Sequence, residues 1–371
     1  MLTREDMQNI STRPWTTDHS RRFRQLFSEL RKQATSQKCH YCGREGTLCK
    51  SHFAPKSFLK NISLNGKVDT FFALYPQGTF PESDGISKAG TFKMICRDCD
   101  NKIFRTYENP DNLKQLPTQK MMAEIAMKNY LKFLKKRHVE ILHHDSLVRR
   151  HPENAFTILS SREQKIFDAE RYEKCFNKAK RISLGKSGGK YHVIYYNHLK
   201  YVVPLAFQAA LTIIYDLSGN VLNDVLSRDT SQKYWELHVC IFPLKESSVI
   251  LLFIDDNGKK IYGNFITEFE KLQDNDKLAL ISYLIFLYSE DMYIYPPVTE
   301  KIRESPVLMT AARDGDNPLI MTVEGDTQHY HDIPYSALSD AIRKTHDLNN
   351  YRYAPNLLSY AFRVKKEEKI K

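Results

Sequence analysis

The chain has no apolar run long enough to cross a bilayer as a helix. Its cleanest run, Leu278 to Tyr288, is about half the length a spanning helix needs. Tyr201 to Leu217 is longer, but Pro204, Gln208 and Asp216 interrupt it, and it reads as a buried strand turning into a helix. Residues 1–30 carry Arg4, Arg13, Arg21, Arg22 and Arg24 and no apolar core of a secretory signal. A cytoplasmic protein without a membrane partner is the expectation. Cysteine is scarce too. Seven in 371 residues do not make a disulfide framework. Gly85 and Gly90 stand alone, so phosphate-cradling and dinucleotide fingerprints are absent. There is no Gly-x-Ser-x-Gly elbow, no His-Glu-x-x-His and no internal repeat.

What is present is a surplus of positive charge. The 55 lysines and arginines outnumber the 44 acids, leaving a net charge of +11. Such a surplus favours polyanionic partners through Coulomb attraction and counterion release. The hydrophobic share of 42% and the charged share of 27% are those of a globular protein with two or three packed units.

Residues 15–34 read as a basic amphipathic helix, with Phe23, Leu26, Phe27 and Leu30 on one face and Arg21, Arg22, Arg24, Arg31 and Lys32 elsewhere. Pro110, Asp111, Asn112 and Pro117 mark a break. A long helix over roughly 118–147 is expected from Met121, Met122, Ile125, Ala126, Tyr130, Leu131, Leu134 and His138. Its other face holds Lys128, Lys132, Lys135, Lys136 and Arg137. Residues 148–190 are polar and assign to no element, and Ser187-Gly188-Gly189 reads as a join. Beyond it the texture is that of strands. His192 to Tyr196 and Leu237 to Phe242 are rich in β-branched and aromatic residues. Val249 to Asp255 and Lys260 to Phe265 flank Asp256-Asn257-Gly258, which predicts a hairpin. Asp276 to Tyr288 returns to helix.

Four cysteines form two Cys-x-x-Cys pairs, Cys39/Cys42 and Cys96/Cys99. Two such knuckles supply the four thiolates that tetrahedral zinc takes. Their separation calls for a structured insertion rather than a bare loop. A second set competes: Cys39, Cys42, Cys49 and His52 would be a complete local ligand group. Two histidine groups are weaker. His138, Glu140, His143 and His144 crowd a helix end, and His329 and His331 share a strand face; neither has a trusted ligand spacing.

Between the knuckles lies Ser51-His52-Phe53-Ala54-Pro55-Lys56. The order Cys-x-x-Cys, Ser-His-x-x-Pro-Lys, Cys-x-x-Cys and then an acid resembles the zinc-containing HNH, or ββα-metal, endonucleases in a Ser-His-x-x-Pro variant, over residues 36–109. The resemblance implies a structural zinc that ties a β-hairpin to a helix. It implies His52 as the general base that activates water, and Asp100 as a ligand of a catalytic Mg2+ or Mn2+ ion. The sequence departs from the usual pattern twice. Ser51 stands where an acid commonly precedes the histidine, and Asp100 stands where Asn or His is common. One carboxylate moved from strand to helix would keep the charge count. Asn61, Asn65 and Asn101 are the candidates for an asparagine that orients the histidine. Asp100 is also read as the start, and N-cap, of the helix after the second knuckle. Asp100, Phe104 and Glu108 recur every four residues along it, which makes Glu108, with Ser51 and Asn101, a candidate supporting residue.

The expected fold is α+β. A basic arm (1–35) precedes a zinc-bound HNH-like domain (36–115), a helical connector (116–189) and a larger α+β domain (190–371) for recognition or regulation. The expected function is metal-dependent cleavage of nucleic acid, DNA before RNA. Lys50, Lys56, Lys60, Arg97 and Lys102 are placed to meet phosphates. By analogy with the family, the setting would be restriction or anti-phage defence. The alternative is a zinc-stabilised module that binds nucleic acid or protein without cutting. A protein partner or a second copy would dock on 190–371.

Overall fold

The computed structural model describes residues 17–71, 83–186, 188–225, 227, 233–289, 292–314 and 335–365. His329 and His331 lie outside them. Helix α1 is Thr17–Gln33, β1 Ser51–His52, α2 Lys56–Asn61, β2 Lys67–Phe71, β3 Asp84–Gly85 and β4 Thr91–Phe92. Then come α3 Arg97–Ile103, α4 Arg105–Glu108, α5 Gln119–Arg150 and α6 Ala155–Ser183. The remainder is β5 Tyr191–Leu199, β6 Leu205–Leu211, β7 Leu237–Pro243, β8 Ser248–Asp255, α7 Gly263–Lys271, α8 Asp274–Tyr288, β9 Met292–Ile294, α9 Thr299–Arg303, α10 Pro306–Asp314 and α11 Tyr335–Thr345. The fold mixes helix and sheet, as expected. No helix among the described residues is long and apolar enough to cross a membrane.

The chain forms two compact units, and both are assembled from separated segments. The first takes residues 1–53, 91–109 and 117–188; the second takes 54–90, 110–116 and 189–371.

In the first unit, α5 and α6 form a long helical hairpin. Thr118 caps α5, its hydroxyl accepting from Met121 N at 3.3 Å. Residues 121–132 of α5 are buried on every side, lysines included. The segment that assigned to no element is therefore mostly α6. Its apolar signal is weak because much of its contact with α5 is ionic. Arg137 Nε reaches Asp168 Oδ2 at 2.9 Å, and Arg162 Nε reaches Asp145 Oδ1 at 2.6 Å. A periodicity test sees only the apolar part, Tyr172, Phe176, Ala179 and Ile182.

The second unit is built on one antiparallel sheet in the order β3-β2-β9-β6-β7-β8-β5. Leu205, Phe207, Val239, Ile241, Ile250 and Leu252 project to one face and pack with Phe265 and Phe269 of α7 and Leu280, Leu284 and Leu287 of α8. Ala206 and Tyr293 project to the other face, with Ala54, Leu59, Ile62 and Val68. Gly90 ends the inserted segment with φ +59, and a Cβ there would lie 1.7 Å from Tyr293 Oη, so only glycine fits.

Two local expectations fail in this unit. The strand in Tyr201–Leu217 is succeeded by no helix. Asp216 instead gathers Ser218 N at 3.0 Å and Asn220 N at 2.8 Å into a tight turn. The Asp256-Asn257-Gly258 turn joins no second strand. Asp255 accepts from Asn257 N at 2.9 Å, and the chain turns into α7, where Phe265, Ile266 and Phe269 have helical spacing. A turn signal fixes a reversal but not the type of the next element.

Two histidines of this unit are buried without charge. His238 stacks flat on Phe253, centroids 4.5 Å apart, and burial lowers its pKa to about 3. His346 is fully covered beside Tyr288, and burial lowers its pKa to about 4. Both values lie below 6.5, so the unfolded chain binds the extra protons. The stability is fully present above about pH 6.5 and is lost as pH falls toward 4, by roughly 1.4 kcal/mol per pH unit per group. His238→Phe should halve this contribution. Urea midpoints at pH 7 and pH 5 should lie closer together in the variant than in the parent.

Candidate metal centre

The two cysteine pairs meet because two stretches of chain run antiparallel. Ser51 pairs with Phe92 and His52 with Thr91. Leu48 bridges to Cys96, Cys49 N donates to Ile95 O at 2.9 Å, and His40 N donates to Met94 O at 2.9 Å. The first knuckle closes through Gly43 N to Cys39 O at 2.8 Å, with Gly43 at φ +72, a conformation that favours glycine. The second opens α3, with Cys96 at the N-cap.

The Sγ atoms of Cys39, Cys42, Cys96 and Cys99 all lie within 4.8 Å of one another. All are free thiols. Tetrahedral zinc with bonds of about 2.3 Å needs sulfurs about 3.8 Å apart, so the set fits one ion after a small contraction. The local polarity fits as well. Cys96 N donates to Cys39 Sγ at 3.3 Å, and Arg44 Nε donates to Cys42 Sγ at 3.5 Å. The Arg44 hydrogen bond lowers Cys42 to about 6, whereas burial, with hydrogen bonds from the other sulfurs, raises Cys99 well above an ordinary thiol. Cys42 and Cys99 are thus shifted in opposite directions, and a divalent cation would hold all four sulfurs as thiolates.

Cys49 stands outside this sulfur group. Burial first, then the Asp100 charge, raises its thiol to about 11. The competing set of Cys39, Cys42, Cys49 and His52 is not assembled, and His52 is not drawn into the sulfur cluster.

His52 is half-buried on β1. Its neighbour Ser51 is 1% exposed and donates from Oγ to Asp100 Oδ1 at 2.6 Å. The strand serine and the helix acid are thus in contact. Asp100 is not the N-cap of α3: the helix starts at Arg97, and Asp100 sits one turn inside, its N–H bonded to Cys96 O. The knuckle supplies the cap position, so the helix begins earlier than the acid suggests.

The helix then breaks at Phe104, between α3 and α4. Glu108 pairs there with Lys128 Nζ, which also lies 4.3 Å from the centre of the Phe104 ring. Asn101, Lys50, Arg97 and Lys102 are exposed in the first unit. Lys56 and Lys60 are exposed in the second, where Lys56 Nζ donates to Ser87 Oγ at 2.9 Å. Asn61 donates to Pro243 O at 2.9 Å, and Asn65 occupies a turn with φ 51. In the weaker histidine group, Glu140 pairs with Arg137 at 2.6 Å, and His144 Nδ1 lies 2.7 Å from Glu140 O, so these side chains serve the helix pair.

Helix α6 holds the first knuckle from outside. His40 Nε2 lies 2.9 Å from Glu173 Oε2, and its ring meets Phe176 edge-on at 5.0 Å. Lys180 Nζ donates to Tyr41 O at 2.6 Å and covers the Tyr41 ring at 4.2 Å. The sequence pattern does not reveal these supports, nor Arg44. Arg44 directly follows Gly43 and could have been suspected; nothing local marks residues so far downstream as Glu173 and Lys180.

No family model, no curated protein and no solved structure matches the chain. The ligand set is open to a direct check. The protein should carry one zinc per chain. Cys96→Ser should lose it and Cys49→Ser should keep it, read by metal analysis of purified protein.

Proposed function

We propose that the protein is a metal-dependent endonuclease of the HNH type that hydrolyses phosphodiester bonds, with DNA as the first substrate to test and RNA as the second. The observation that carries this reading is the Ser51–Asp100 hydrogen bond at 2.6 Å. It sets a carboxylate against the residue that precedes His52, where the resemblance calls for an acid. A two-stranded ribbon leading into a helix, with four cysteines at their junction, supports it.

Asp100 offers the hard oxygen that Mg2+ or Mn2+ takes, and such ions need only one or two carboxylates when phosphate oxygens supply the rest. When bound, the ion would supply positive charge to the phosphate and the leaving oxygen. A neutral imidazole accepts a proton near pH 7, and on this reading His52 is the side chain that takes the proton of the attacking water. Ser51 donates to Asp100 Oδ1, and the carboxylate's remaining lone pairs would be the ones to hold such an ion. The four sulfurs take no part, because a zinc with four thiolates has no open position. Restriction or anti-phage defence is the setting that best suits such a nuclease joined to a large second unit.

A second reading is a zinc-stabilised module that binds nucleic acid or protein without cutting. The loss of an acid at Ser51 favours it.

Purified protein with plasmid, single-stranded DNA and RNA, in Mg2+ or Mn2+, separates the two. His52→Ala should lower cleavage by about 10²–10⁴-fold with unchanged zinc. Binding without cleavage in any metal would decide for the second reading. Ser51→Ala should raise the Mg2+ concentration for half-maximal cleavage by about 10-fold, since partners that orient a metal ligand are worth about that much.

A further inference from the structure

Helix α5 turns several cations inward, and two of them meet acids at close range. Lys128 pairs with Glu108, and Arg137 with Asp168 and Glu140. Lys135 lies between them and is only 8% exposed, yet its Nζ donates to two neutral oxygens, Arg31 O at 3.0 Å and Thr35 Oγ at 2.8 Å. Burial first, then the charges of Arg31 and Lys93, lowers its pKa to about 8.

Lys132 lies one turn before Lys135 on the same face, 7% exposed, with Nζ 5.1 Å from the centre of the Phe53 ring. Phe53 follows His52 and stacks on Phe92, centroids 4.4 Å apart and planes 8° from parallel. Lys93 follows Phe92 and is exposed. The ribbon, the end of α1 and the middle of α5 thus bring Lys93, Arg31 and Lys135 together, with Lys132 against Phe53 beside the strand that carries His52. Arg31, Lys93 and the nearly buried Lys135 are like charges held close; they repel one another, and an anion relieves that repulsion.

We propose that Lys93 and Lys135, with Arg31, seat a backbone phosphate of a nucleic-acid strand next to the phosphate presented to His52. This rests on the endonuclease reading and adds to it the contact that fixes the strand's register. Phosphate contacts of this kind position the chain and carry no sequence preference.

The test uses the zinc-loaded full chain without added Mg2+ or Mn2+, and labelled DNA and RNA oligonucleotides monitored by fluorescence anisotropy over a salt series. Lys93→Gln should weaken binding by about tenfold at low salt and reduce the slope of log K against log salt by about 1. Lys271→Gln, which removes an exposed charge in the second unit, should change neither. Lys135→Gln should behave as Lys93→Gln does, provided its zinc content and melting temperature match the parent. Lys93 is exposed and decides the matter if Lys135→Gln unfolds. Parental affinity and slope in Lys93→Gln would overturn the proposal. So would a parent that is stabilised by inorganic phosphate but binds no oligonucleotide. If His52→Ala abolishes cleavage while Lys93→Gln binds as the parent does, the phosphate seat falls and the nuclease stands. If Lys93→Gln loses slope while His52→Ala cuts normally, the seat stands and the assigned base falls.

Discussion

Everything in the candidate site depends on closing two distant stretches of chain around four sulfur atoms. Residues 43–95 lie between the knuckles. Closing a loop of that length costs roughly 3–4 kcal/mol of chain entropy beyond a constant. The ribbon it must hold is two residues long on each strand, too short to persist alone. Binding of structural zinc by small domains is worth about 10–16 kcal/mol, several times the closure cost. Zinc at the cysteines would therefore decide whether Ser51 and Asp100 meet at all. The closure also explains how the insertion is tolerated. Once both of its ends are pinned in the ribbon, residues 54–90 are free to fold with the second unit, where α2, β2 and β3 belong.

The helical hairpin supports the knuckles in a different way. Its interior is partly ionic, and buried ions are costly to take out of water. That cost is offset only where each charge is met at close range. Arg137 satisfies the condition with two acids, and Lys128 with one acid and two aromatic rings. Removing one member of such a group leaves its partner buried and unpaired, which destabilises by about 3–5 kcal/mol. The arrangement tolerates little slippage between α5 and α6, and so α6 can hold Tyr41 and His40 at fixed places.

Legibility tracks the range of the interaction. The cysteine pairs and the strongly periodic first half of α5 are readable, because their signals lie within a turn or two of chain. The choice between Cys49 and the second knuckle is not readable, since both sets have acceptable spacing and only the antiparallel pairing of 39–52 with 91–99 separates them. Helix α6 is hidden because its partners on α5 are charged. The missing helix after β6 and the missing strand after Asp256-Asn257-Gly258 share a cause. Turn chemistry at Asp216 and Asp255 is local, but the element that comes after each turn depends on how much of the sheet is left to cover. Asp100 is legible as an acid beside the knuckle, whereas its contact with Ser51, 49 residues away, is a tertiary fact.

That contact also bears on the weight of the two departures from the HNH pattern. Taken singly, a serine before the histidine argues for decay, and an acid after the second knuckle is merely unusual. A decayed site would have no reason to place the two changes against each other. Here the serine is buried and donates a hydrogen bond to the acid, so on the endonuclease reading each departure accounts for the other. A serine in the strand needs an acceptor once it is covered, and a carboxylate on the helix needs a donor to fix its direction. On that reading, a carboxylate stands at the same corner of the ribbon and helix, supplied from the helix instead of the strand. Decay is compatible with this geometry only if the hydrogen bond is purely structural. In that case an isosteric amide at position 100 would serve as well, and nothing would require the side chain to be charged. The chemistry proposed for the site does require it, because a neutral amide oxygen is a far weaker partner for a divalent ion than a carboxylate.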